Sequence, residues 1–270
     1  MNRKQWLILA AVLIVVGGML FGGVMMSQKW DFLSLQTTKF KTNTHQIQDP
    51  YHNISINVDT SDLTILPTEE SVTMVECFEQ EKIKHTVEVK DHTLIIQVTD
   101  TRKWYEHISI SFRSPRITVY LPKTTYETVS VTASTADIRI ETLSAKVCDL
   151  TLSTGDMNLT DMQVENIKAT ASTGDIHLKG VIAAQEFSAQ TGTGDIYLEG
   201  CDAERLKIKT TTGDVVGWLL SPKVFVAQTN TGDVSVPQSG EGGLCEIHTT
   251  TGDITIHEAP WDNGSWLDPR

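Results

Sequence analysis

Eight aspartates recur in one local pattern, a Thr two residues before the Asp and an apolar residue after it, most often Thr-Gly-Asp-Ile or Thr-Gly-Asp-Val. They are Asp62, Asp137, Asp156, Asp175, Asp195, Asp214, Asp233 and Asp253. Stacked carboxylates repel one another unless something compensates, and calcium is the obvious candidate. The known calcium-binding solenoid, however, uses a nine-residue repeat with two facing acidic turns. Here one acid occurs per 19 or 20 residues, with no second acid at a regular offset. The pattern therefore predicts a structural column, each carboxylate capping backbone N–H groups of its own turn.

The other reactive side chains point the same way. Four cysteines invite a disulfide reading, but Cys148 and Cys245 fall in a column otherwise filled by Ile167, Phe187, Leu206 and Phe225 and lie five repeats apart along the chain. That is well beyond the roughly 7 Å Cα separation a bridge can span. Cys201 shares a column with Leu143 and Val181, and Cys77 lies in a strand with Val75, so all four read as buried thiols. His177, His248 and His257 share outward columns with Tyr197, Lys209 and Thr160 and read as surface groups. The sequence shows no catalytic residues, no nucleotide loop, no metal-ligand cluster, no cofactor site and no nucleophile with a base.

The elements that hold these residues follow from the period. The last seven aspartates are separated by 19, 19, 20, 19, 19 and 20 residues, the mark of stacked coils. Eight residues before each Asp stand Ile54, Val129, Cys148, Ile167, Phe187, Leu206, Phe225 and Cys245, and six before stand Ile56, Val131, Leu150, Ala169, Ala189, Ile208, Ala227 and Ile247. Apolar residues also occupy the positions one and three after the Asp, with Gly217 the exception. Period-two alternation on both sides predicts two short strands per coil. The inward parity is even before the Asp and odd after it, so the chain slips by one residue at a corner. Gly precedes Asp in six of eight copies, Ser61 and Ala136 being the exceptions, which predicts a positive φ there. The Thr two before the Asp is expected to point inward.

The chain thus reads as all-β, a single-stranded parallel β-solenoid of 19 to 20 residues per coil preceded by a transmembrane helix. Residues 129–256 form the regular solenoid, about 30 Å long at roughly 4.8 Å per coil, within a strand-repeat ectodomain spanning 51–257. Between the first two motif copies, residues 66–128 read as an insertion of short antiparallel hairpins extending or capping the N-terminal end. Residues 258–270, with Trp261 and Trp266, read as the C-terminal cap or tail.

Residues 6–26 carry no charge and are long enough to cross a bilayer core as a helix. Arg3 and Lys4 before them keep residues 1–5 in the cytoplasm and place the rest outside, and residues 27–50 read as a tether. Beyond residue 30 the chain holds 19 basic against 34 acidic side chains, a formal charge of −15. That balance excludes nucleic acid as a natural partner.

One N-terminal membrane helix followed by Thr-Gly-Asp-Ile/Val units resembles the bacterial β-strand-repeat proteins labelled "putative adhesin", a family of unknown function, and in particular its membrane-anchored LiaG-like members. The resemblance implies a cell-envelope setting beside stress-sensing systems, and it carries no catalytic or binding residues. The expected function is a membrane-anchored extracytoplasmic interaction module in envelope stress response or adhesion. Its partner would be an envelope protein or glycan, with the membrane engaged through the helix. The alternative is a polysaccharide-active β-helix enzyme.

Overall fold

A computed structural model describes residues 3–27, 40–100, 114–238 and 240–257. The helix α1 (Arg3–Ser27) contains a 20-residue stretch, Lys4–Gly23, with a mean hydropathy of 2.4. It belongs to one unit of the chain; a second compact unit takes in Lys41–Thr101 and continues from Ser114.

The second unit is built of coils of two strands each, which in every coil but that of β6 and β7 flank the corner of the repeated Asp. In chain order they are β2 (Asn53–Val58) with β3 (Asp62–Thr68), β6 (Thr93–Asp100) with β7 (Arg116–Pro122), and β8 (Thr125–Thr135) with β9 (Ile138–Glu141). Then come β10 (Ser144–Thr154) with β11 (Met157–Thr160), β12 (Gln163–Thr173) with β13 (Ile176–Lys179), and β14 (Ile182–Thr193) with the start of β15 (Ile196–Thr212). The remainder of β15 continues into β16 (Val215–Leu219), followed by β17 (Lys223–Thr231) with β18 (Val234–Ser235) and β19 (Gly243–Thr251) with β20 (Ile254–His257). Neighbouring coils pair in parallel and in register, for example Leu150 with Val131 below and Ala169 above. The predicted columns meet in one core: Ile56, Val131, Leu150, Ala169, Ala189, Ile208 and Ile247 are each at most 1% exposed.

Chain order and stacking order differ at both ends. At the N-terminal end β6 and β7 pair in parallel with the outer side of β2 and β3, while β8 and β9 pair with their inner side. The segment predicted as an insertion therefore contributes a coil of its own, with Leu94, Ile96, Ile117 and Val119 continuing the apolar columns. Hairpins are present as expected. β5 (Ile83–Lys90) runs antiparallel to β6 through a turn at Asp91 and His92, both with positive φ, and β4 (Thr73–Gln80) runs antiparallel to β7. β1 (Phe40–Ile47) pairs with β4, so the second half of the expected tether is part of the fold. Residues 101–113 of the segment predicted as hairpins and the predicted tail at 258–270 lie outside the described residues.

At the C-terminal end β15 pairs with β19, and β17 lies on the far side of β19. The coil that is last in sequence is thus next to last in space. The chain leaves the coil of Asp214, skips a layer to lay down β17, and comes back through the slot it left. Gly242 and Gly243 mark the re-entry: a Cβ on Gly242 would sit 1.9 Å from the Pro222 carbonyl oxygen, and one on Gly243 2.3 Å from that of Glu204. Lys223, 4% exposed, pins the overshooting strand by an ion pair to Asp202 at 2.5 Å and a bond to Ser221 at 2.8 Å. The outermost coil shows its position in its burial, with Val234 44% exposed and Phe225 only partly covered.

At the corner, φ is +127° to +142° at Gly155, Gly174, Gly194, Gly213, Gly232 and Gly252. A Cβ on any of them would lie 1.8 to 2.2 Å from the carbonyl oxygen of the adjoining corner. Conformation and close approach both demand glycine. Gly194→Ala should therefore lower the unfolding free energy by about 3 kcal/mol or more, whereas Ala136→Gly should cost under about 1 kcal/mol; urea titration of both variants checks this.

Candidate functional site

All eight aspartates fall in one column, in the stacking order 62, 137, 156, 175, 195, 214, 253, 233. Each Oδ1 accepts the backbone N–H of the next Asp, at distances from 3.1 Å for Asp62 with Asp137 to 2.7 Å for Asp195 with Asp214 and for Asp214 with Asp253. The carboxylate caps the neighbouring coil rather than its own turn, as the sequence suggested, because parallel stacking puts the next corner directly above the side chain. The rest of the corner is satisfied the same way: Gly155 N–H donates to Thr173 O at 3.0 Å, and Met157 N–H to Asp175 O at 2.9 Å. In the outermost N-terminal coil the position facing Asp62 is taken by Arg116, whose guanidinium lies 4.9 Å from the Phe78 ring centroid.

The Thr column two before the Asp, Thr60, Thr135, Thr154, Thr173, Thr193, Thr212, Thr231 and Thr251, is exposed, not inward. The slip in parity falls before it. The inward position is four before the Asp, where Thr191, Thr210, Thr249 and Thr229 replace the Leu152 and Ala171 of earlier coils. Their hydroxyls donate to Gly174, Gly194, Gly213 and Gly252 carbonyls at 2.9 to 3.1 Å. Sequence reasoning missed this second ladder; the switch from apolar residues to Thr in that column was its signal.

None of the four cysteines is paired and all are buried. Because of the changed coil order, Cys148 and Cys245 are four layers apart, about 19 Å, not five. Burial pushes the Cys148 and Cys245 thiols up to about 12 and Cys201 to about 11. His177 lies outward as expected, stacked on Tyr197 with ring centroids 4.5 Å apart and 7° between planes. Partial burial, then the bond from its hydroxyl to Asp195 Oδ2 at 3.0 Å, push the Tyr197 phenol up to about 12.

The N-terminal cap holds a constellation the sequence did not disclose. Glu79 Oε2 accepts from His85 Nδ1 at 2.8 Å and from the His85 backbone N–H at 2.6 Å, Asn43 Nδ2 donates to Glu79 Oε1 at 2.5 Å, and His85 Nε2 lies 3.1 Å from Ser61 Oγ. The Cys77, Glu79 and His85 ligand atoms lie within 4.8 Å of one another. The readings that the chain has no metal-ligand cluster and no nucleophile near a base are corrected here: strands β4 and β5 bring together residues whose sequence spacing matches no ligand motif. Ser, His and Glu have the connectivity of a hydrolytic triad, but Ser61 is 2% exposed and His85 4%, so no substrate reaches the hydroxyl in this conformation.

Residues 51–260, which hold the whole corner ladder, match the family model described as Toastrack DUF4097. The chain belongs to the Toastrack DUF4097 family. No curated protein matches it. Among solved structures it is similar to a "putative lipid binding protein" from Parabacteroides distasonis, at 13% identity and a TM-score of 0.45 over 80% of this chain and 97% of that one. It is also similar to a "putative adhesin" from the same species, at 11% identity, TM-score 0.42, 83% and 98% coverage, and to one from Bacteroides fragilis, at 15% identity, TM-score 0.40, 81% and 97% coverage. The expected membership of a strand-repeat family of unknown function holds for this Toastrack chain.

Two predictions follow from the ladders and the thiols. Asp195→Asn, whose amide oxygen still accepts the Asp214 N–H, should cost under about 0.5 kcal/mol, and Asp195→Ala about 1–2 kcal/mol, while calcium leaves the melting temperature of the parent unchanged to within about 1 °C; thermal and urea unfolding measure all three. For the thiols, the folded state holds the proton more tightly than the unfolded chain, whose thiols titrate near 9. Their contribution to stability is thus complete below pH 9 and lost as pH rises towards about 12. Cys148→Val should flatten that alkaline loss while costing only about 1 kcal/mol at pH 7.

Proposed function

We propose that this Toastrack protein is a membrane-anchored extracytoplasmic interaction module that binds an envelope protein or glycan without turning it over, in envelope stress response or adhesion. The observation that carries the reading is the unbroken outward face of the long strands. Lys168, Ser188 and Lys207 stand in register on adjoining coils, as do Thr170, Gln190 and Lys209, and Glu246 and His248 continue the two rows. Such a face offers many weak polar contacts at a fixed spacing near 4.8 Å and no cleft in which to hold a reacting bond. Ser188 is less available than its outward position implies, at 8% exposure and bonded to Gln190; the exposed lysines carry the contact. The three cations stand together on an acidic chain, which favours an anionic or polyhydroxylated ligand.

Anchoring is supported by α1, uncharged over residues 6–26 and preceded by Arg3 and Lys4. In this reading its partner is a component of the membrane or wall.

Full-length protein in detergent, incubated with purified peptidoglycan, teichoic acid and membrane extract, should be retained by one of them. Combined Lys168→Glu, Lys207→Glu and Lys209→Glu should weaken retention by about tenfold or more, each alone by less. Time-dependent release of soluble product would instead place the protein among polysaccharide-active enzymes.

A further inference from the structure

We propose that Cys77, Glu79 and His85 form a buried binding site for one divalent transition-metal ion of the zinc type, a site separate from the recognition face and the Asp column. The inward columns elsewhere are filled with apolar residues, Cys and Thr, and among the described residues only this end of the core holds a carboxylate and an imidazole side by side. Cys77 is fully buried, Glu79 is 2% exposed and His85 4%.

The donor set selects the ion. Sulfur, imidazole nitrogen and one carboxylate oxygen suit zinc and its neighbours, whereas calcium and magnesium require oxygen throughout. The distances suit it as well. Tetrahedral zinc with bonds of about 2.0–2.3 Å holds its donors roughly 3.3–3.8 Å apart. Here the three ligand atoms are already within 4.8 Å of one another, and His85 Nδ1 is 2.8 Å from Glu79 Oε2, so an ion between these two parts them by about half an ångström.

The surroundings are those of a metal ligand. With Nδ1 on the ion, His85 Nε2 carries the proton and donates it to Ser61 Oγ at 3.1 Å, which fixes tautomer and ring orientation. Asn43 Nδ2 holds the second oxygen of Glu79, and the His85 backbone N–H holds the first. One thiolate and one carboxylate cancel the charge of a dication, so loading the site leaves no net charge in the core. The fourth position falls to a water. The ion would tie together β1, β4, β5 and the corner of the first coil, the four pieces that close the N-terminal end of the stack.

The test uses tag-free full-length protein in detergent. Purified from zinc-replete cells, it should hold about one zinc per chain by elemental analysis, and after chelation cobalt(II) should produce a thiolate-to-cobalt charge-transfer band. Cys77→Ala should abolish that band, and Cys148→Ala should keep it. Because Cys77→Ala could fail to fold, the parent provides an independent reading. Zinc at a hundredfold excess over its dissociation constant should raise the melting temperature of the chelated protein by roughly 5–10 °C. Absence of stoichiometric metal, an unchanged melting temperature with zinc, or a band that persists in Cys77→Ala overturns the proposal.

Discussion

Six coils set their Gly-Asp corners so close to the adjoining one that an added methyl would stand about 2 Å from a carbonyl oxygen. That approach aligns eight carboxylates at the coil spacing, and the sign of the net effect is decided by magnitudes. Two charges 4.8 Å apart in water repel by about 0.9 kcal/mol, less than the roughly 1.5–3 kcal/mol of a hydrogen bond to a charged acceptor. Every carboxylate with a coil above it takes such a bond. The acids are thus the fasteners of the stack, and everything else in the fold is arranged around the geometry they fix: the in-register strands, the continuous core and the flat outer face. The central coils add a second fastener, the inward Thr hydroxyls bonded to the glycine carbonyls of the adjoining layer.

Strand parity, the apolar columns and the glycine requirement were legible because each depends on residues a few positions apart in one coil. Thr154 and its equivalents were misplaced because the slip between inward and outward parity occurs two residues earlier than the Gly-Asp step implies. The order of coils at the ends was not legible at all. A spacing of 19 or 20 residues is the same whether a coil stacks on its predecessor or beyond it, and only Gly242-Gly243, squeezed between Pro222 and Glu204, records the threading. The cluster around His85 was hidden for a related reason: Ser61, Cys77 and His85 meet only because β4 and β5 fold back over the first coil.

In the proposed function, stability and recognition fall to different parts of the molecule. The Asp column and the inward Thr residues spend their hydrogen-bonding capacity on neighbouring coils, and the cysteines behave as small apolar groups. The outward rows on the long strands, with Lys168, Lys207 and Lys209, remain for contact. Substitutions there change charge and shape without touching the core.

Because the segment 243–257 is inserted between two coils made before it, the molecule has no stable prefix near its C-terminal end. A nascent chain that has emerged only as far as Gly240 has β17 two layers, about 9.6 Å, from β15, the nearest strand below it. The next fifteen or so residues do not lengthen the rod; they close a gap. In a simple serial stack, unfinished chains are shorter versions of the finished one and gain stability coil by coil. Here residues 243–257 lock the far end of the described stack, so a chain cut before them leaves an open slot with bare strand edges on both sides.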